Sequence, residues 1–112
     1  MKRPIPVIVI AGLYLLVGAV GFIAHFPELL ARHPDAIAIE ATELLAVVSG
    51  IFLLLRHNWA RWLALAWIVF HVAISFSDPI GKLAAHVIFC VLIAWALFRP
   101  ASGQWFRPTA PA

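Results

Sequence analysis

The sequence predicts an all-α protein: a four-transmembrane-helix bundle in up-down-up-down order, with both termini in the cytoplasm. Three observations carry that expectation. Hydrophobic residues make up 64% of the 112 and charged residues only 12%, against roughly a quarter charged in a soluble domain. The apolar residues run in four long stretches, each close to the ~20 residues that a helix needs to cross ~30 Å of hydrocarbon. Basic residues collect at alternate ends of those stretches. So small a chain cannot hide that much apolar surface inside itself, and the lipid bilayer is therefore its first partner.

The first span covers residues 4–25. It follows Lys2 and Arg3 and carries no charge from Pro4 to Ala24. The leading basic residues and Ala19-Val20-Gly21 resemble a signal peptide, but the apolar stretch exceeds the ~7–15 residues of such a signal, and three more spans follow. A polar turn with Pro27, Glu28, Arg32, His33, Pro34 and Asp35 leads to the second span, 36–55. Its eleven Ile, Leu, Val and Phe residues, at about −0.3 to −0.6 kcal/mol each, only roughly offset Glu40 and Glu43 at about 3 kcal/mol each. This helix needs neighbours that shelter its acids.

The basic turn Arg56-His57-Asn58 opens the third span, 59–77. Arg61 sits close enough to the end to snorkel, and Trp59 and Trp62 suit an interfacial aromatic belt. Asp78 and Pro79 break the helix. The fourth span, 80–98, carries Lys82 near its start, Cys90 as a small packing residue, and Arg99-Pro100 at its stop. Residues 1–100 thus form a single membrane domain. The tail, 101–112, is polar and proline-containing and is expected to be poorly ordered, with Trp105 and Phe106 at the membrane surface.

Orientation follows from charge. Lys2, Arg3, Arg56, Arg61, Arg99 and Arg107 fall on one side and only Arg32 and Lys82 on the other, six to two. That bias puts both ends inside, across what is read as the cytoplasmic (inner) membrane of a bacterium. The net charge of +3 forms no clustered patch, so nucleic acid is not an expected partner.

The residues that can carry chemistry share a depth. Counted at ~1.5 Å per residue from the outer turns, Glu40 lies about 8 Å deep, Glu43 about 12 Å, His71 about 10 Å and His86 about 12 Å. His25 forms the rim of this layer. Each lies on a helix face with small or aromatic residues at three- and four-residue spacing. Tyr14, Gly18 and Gly21 precede His25, Trp67 and Ser75 flank His71, and Lys82 and Cys90 flank His86. Imidazoles and carboxylates from different helices can ligate a transition metal, with Glu43, His71 and His86 as the candidate ligands, or relay protons. They can equally satisfy one another as a buried network that sets helix register. No phosphate loop, nucleophile elbow or paired-cysteine motif accompanies them.

The stretch Ala41-Thr42-Glu43-Leu44-Leu45, then Ser49-Gly50, the apolar run to Leu55, a short basic turn and an Ala/Leu-rich third span resemble the DoxX-like superfamily over about residues 12–75. The resemblance implies a small four-helix membrane protein in a redox neighbourhood, with membrane oxidoreductase subunits as partners and a quinone as a cofactor. Only Glu43 matches the family pattern residue by residue. The leading expectation is an outer-side pocket of Glu40, Glu43, His71 and His86, with His25 at its mouth. Glu43 and His71 would contact the ligand head group, and Tyr14, Trp67 and Phe70 would wall it. A small proton-coupled transporter working as a homo-oligomer and a structural subunit of a larger membrane complex are the alternatives.

Overall fold

The computed structural model describes residues 3–107, so Lys2 and the tail from 108 onward lie outside the described residues. The elements are α1 (Ile5–Leu30), α2 (Ala36–Leu54), α3 (Asn58–Ile74) continuing into a 3₁₀ turn (Ser75–Ser77), α4 (Ile80–Phe98) and α5 (Pro100–Phe106). The first four are long and apolar enough to cross a membrane, as befits an integral membrane protein. Large apolar side chains such as Ile5, Ile23, Ile37, Phe76 and Ile80 point outward. Water would not solvate such a surface; hydrocarbon does.

α1 is longer than the span expected from hydropathy. At 26 residues it measures about 39 Å and runs through Pro27 and Glu28, which the sequence reading placed in a turn. Proline removes one backbone donor, yet the helix continues and the Pro27 carbonyl accepts from Ala31 N–H at 2.9 Å. Both α1 and α2 end in the same way. Arg32 and Arg56 adopt the left-handed conformation, with φ of 60° and 68°. The next residue then donates back to the last turn, His33 to Glu28 and His57 to Phe52, which satisfies otherwise orphaned carbonyls. A non-glycine residue in this region costs about 1–2 kcal/mol. At Arg56 the cost is offset by a hydrogen bond from Nε to the Trp105 carbonyl.

The dry core draws on one end of each long helix. Val7, Ile10, Ala11 and Tyr14 of α1 meet Ala46 and Leu53 of α2, Ala60, Ala64 and Ile68 of α3, and Ile93, Ala96 and Leu97 of α4. α1 and α2 make the most intimate pair, and the reason is glycine. A Cβ on Gly18 would lie 2.7 Å from the Glu43 carbonyl oxygen, and one on Gly50 would lie 2.8 Å from that of Ala11. Only a residue without a side chain lets the backbones come so close.

The end of the chain departs from expectation. Residues 100–106 form α5 rather than a loose tail, and Trp105 and Phe106, expected at the membrane surface, are each 3% exposed. Phe106 covers Arg61, which does not snorkel and is itself 3% exposed, while Trp105 lies under the Arg56 guanidinium. The Arg61 guanidinium donates to Asn58 Oδ1 at 2.9 Å and to the Leu97 carbonyl at 3.1 Å, and lies over the rings of Phe98 and Phe106. With carbonyl acceptors and aromatic faces this close, the charge is accommodated without reaching water. Ser102 completes the seal by donating to the Ala96 carbonyl.

Gly18→Ala and Gly50→Ala are expected to wedge α1 from α2 and destabilise the protein by about 1–3 kcal/mol. Gly12→Ala and Gly81→Ala meet no atom within 4 Å and should be neutral or mildly stabilising. Thermal unfolding in one detergent compares the four, and equal midpoints would remove the glycine seam as the basis of the α1–α2 pair.

Candidate functional site

The ionisable residues gather beyond the dry core, in two groups. The first lies between α1 and α2. Gly21 leaves a notch on α1, since a Cβ there would fall 2.6 Å from Glu43 Oε1, and the Glu43 side chain fills that notch. His25, one turn further along α1, has Nδ1 2.9 Å from the Gly21 carbonyl and 2.6 Å from Glu43 Oε1. A carbonyl only accepts, so the hydrogen-bond pattern assigns the proton to Nδ1, shared between these two oxygens. The Glu43 side chain is 12% exposed and that of His25 41%.

Glu40 lies three residues before Glu43 on the same face of α2 and is 4% exposed. Neither of its oxygens has a hydrogen-bond partner among the described residues, and Glu43 Oε2 has none either. His25, Glu40 and Glu43 each offer a ligand-type atom, all within 4.8 Å of one another. These are the residues that can hold a metal. The trio expected from sequence was Glu43, His71 and His86; the structure instead brings Glu43 to His25, because the glycine notch draws its side chain toward α1.

The second group joins α3 to α4. Ser75 Oγ donates to the His71 carbonyl at 2.6 Å and lies 2.5 Å from His86 Nδ1. A hydroxyl has one proton. With that proton on the His71 carbonyl, His86 Nδ1–H must be the donor to Ser75, and in the neutral ring Nε2 keeps a bare lone pair. His71 donates from Nδ1 to the Trp67 carbonyl at 2.7 Å and stacks on the Trp67 ring, centroids 3.8 Å apart. The His71 and His86 rings are 5.9 Å apart.

Two of the crevices beside α3 carry ionisable side chains. One, of about 250 Å³ between α1, α3 and α4, is walled by Tyr14, Trp67, Ile68 and Phe89, with Lys82 and His86 on its rim of polar groups. The other, of about 220 Å³ between α2 and α3, is lined by Thr42, Glu43, Phe70 and His71. Trp67 stands between α1 and α2, its Nε1 donating to the Thr42 carbonyl at 2.8 Å and its ring 5.2 Å from Tyr14. Tyr14 donates to the Ala64 carbonyl at 2.5 Å, so its hydroxyl anchors the wall. The expected single pocket is thus divided: Tyr14, Trp67 and His86 face one crevice, while Glu43, Phe70 and His71 face the other. The four-residue spacing of Gly21 and Ser75 from His25 and His71 put them on the right faces from sequence, but not their roles as the notch for Glu43 and the clamp on His86.

Ser75→Ala should free His86 while costing roughly 1 kcal/mol of stability. Nitrogen-15 spectra of labelled histidine are expected to show the Nδ1-protonated form of His86 in the parent protein and a mixture of tautomers in the variant. Unchanged His86 shifts would rule out the Ser75 clamp. No family model, curated protein or solved structure matches this chain, so its function is read from the chemistry of these two groups.

Proposed function

We propose that this protein is a DoxX-like integral membrane protein of a bacterial cytoplasmic membrane and that it binds the head group of a lipid-soluble ligand of the quinone class. In this reading the helices run up-down-up-down with both termini cytoplasmic. Supporting the order, Gly18 of α1 abuts Glu43 and Val47 of α2 while Gly50 of α2 abuts Ala11 and Leu15 of α1, an antiparallel pattern. Supporting the placement of the ends, Arg3 donates to the Leu54 carbonyl and Arg56 to that of Trp105. Those bonds gather basic residues at one end, the side that stays in the cytoplasm.

The observation that carries the ligand assignment is the α1–α3–α4 crevice. Its walls are apolar and its polar side chains are few, the composition of a small-molecule site. At about 250 Å³ it falls below the ~300–1,000 Å³ that engulfs a drug-sized molecule. It therefore suits one ring with the apolar tail left in lipid. His86 Nε2 can accept a hydrogen bond from a quinol hydroxyl. The Lys82 ammonium, 3.3 Å from Asp78 and mostly exposed, can turn to donate to a quinone carbonyl. Trp67 supplies a flat face for stacking.

The test is titration of the protein in lipid nanodiscs with a short-chain benzoquinone and, separately, with its quinol, following quenching of Trp67 as the difference between parent and Trp67→Phe. Saturable quenching is expected. His86→Ala should weaken binding of the quinol by roughly tenfold, about 1.4 kcal/mol, since Nε2 accepts only from a hydroxyl, and Lys82→Met should weaken binding of the quinone in the same way. A structural subunit would show no saturable difference signal, and curves indifferent to both substitutions would sink the assignment.

A further inference from the structure

We propose that His25, Glu40 and Glu43 form a binding site for a divalent transition-metal ion, separate from the α1–α3–α4 crevice. Their ligand-type atoms lie within 4.8 Å of one another, so small side-chain rotations bring all three onto one ion at bond lengths of about 2.0–2.2 Å. The independent pointer is Glu40. It is 4% exposed and neither oxygen has a partner among the described residues, and a buried carboxylate is tolerated where it is paired or coordinates a metal. Glu43 contributes a second free oxygen, Oε2.

Charge selects the occupant. Beside a neutral imidazole, two carboxylates balance a dication and leave no net charge among apolar helices, whereas a monovalent cation leaves a negative charge behind. Ligand type narrows it further, because an imidazole beside two carboxylates suits Mn²⁺, Fe²⁺, Co²⁺ or Zn²⁺ better than the oxygen-seeking Ca²⁺ and Mg²⁺. The site is partly built in advance. Gly21 keeps the notch for the Glu43 carboxylate, and the His25–Glu43 hydrogen bond holds the imidazole in place. For the ring to ligate through Nδ1 as neutral imidazole, the proton held there moves to Nε2 as the ion arrives. His25, half exposed near the end of α1, leaves the ion a way in.

The test uses the full-length protein in lipid nanodiscs, titrated separately with Co²⁺ and Zn²⁺. Visible absorption reports Co²⁺ coordination, and elemental analysis after gel filtration reports retained Zn²⁺. A single ion per chain is expected. No protein donor reaches the Glu40 carboxylate among the described residues, so Glu40→Gln leaves the fold intact while weakening binding roughly tenfold or more. His25→Ala weakens it likewise, and so does Gly21→Ala, which pushes the Glu43 carboxylate aside. His86→Ala leaves metal affinity unchanged while affecting the quinol titration, so the two readings fail separately. Retention indifferent to Glu40→Gln places the ion on surface histidines such as His33 and His57 and overturns the proposal. So does a carboxylic-acid infrared band that Glu40→Gln removes and saturating Zn²⁺ does not, because the two glutamates then share a proton.

Discussion

The close approach of α1 to α2 governs the polar end of this molecule. Three glycines make it possible: Gly18 and Gly50 bring backbone against side chain and carbonyl, and Gly21 yields its volume to a glutamate. In lipid there is no hydrophobic drive to push helices together, so contact must come from shape. Shape here has a chemical result. A helix that would otherwise carry two carboxylates into hydrocarbon at about 3 kcal/mol each instead places one against an imidazole and the other beneath the seam. The packing that stabilises the pair is also what concentrates its charge.

The opposite end solves a matching problem without a counter-charge. Arg61 is buried with no carboxylate in contact among the described residues, held by Asn58, the Leu97 carbonyl and two aromatic rings. Breaking such a set leaves an uncompensated charge, which is far costlier than the set is favourable. α5 is therefore more than an appendage, since Phe106 roofs the Arg61 guanidinium and Arg56 ties the α2–α3 turn to the neighbouring Trp105. The left-handed Arg56 backbone is tolerated because its side chain is used there.

The four spans were legible because hydropathy over about 20 residues is a local property, and the polar layer was legible because helical rise converts residue number to depth. Height is only one coordinate. Rotation about each helix axis decides partners, and it was the glycine notch at Gly21 and the hydroxyl of Ser75 that directed Glu43 to His25 and His86 toward His71. The extension of α1 past Pro27 was hidden because proline signals a stop in water, whereas a membrane helix end can carry it. α5 was hidden for a different reason. A seven-residue segment with a proline, a glycine and a serine has weak helical propensity of its own, and it folds because Arg61 and the Ala96 carbonyl offer it something to cover.

The distribution of packing bears on how such a thin molecule can hold a site at all. Its Cα atoms extend over 56 × 30 × 17 Å, too slender to enclose a cavity at mid-height with dry walls on every side. The core therefore occupies the end where α1 and α3 begin and α2 and α4 finish, and it carries most of the tight apolar packing. The other end is free of that duty. It can keep a carboxylate without a partner, an imidazole with a lone pair, and crevices open to lipid on either side of α3. Native structures relax local packing where chemistry requires it and offset the cost elsewhere. In four helices that separation can only run along the membrane normal, cohesion toward one end and ionisable groups toward the other, with Tyr14 and Ile68 at the border, in the core and in the crevice wall alike.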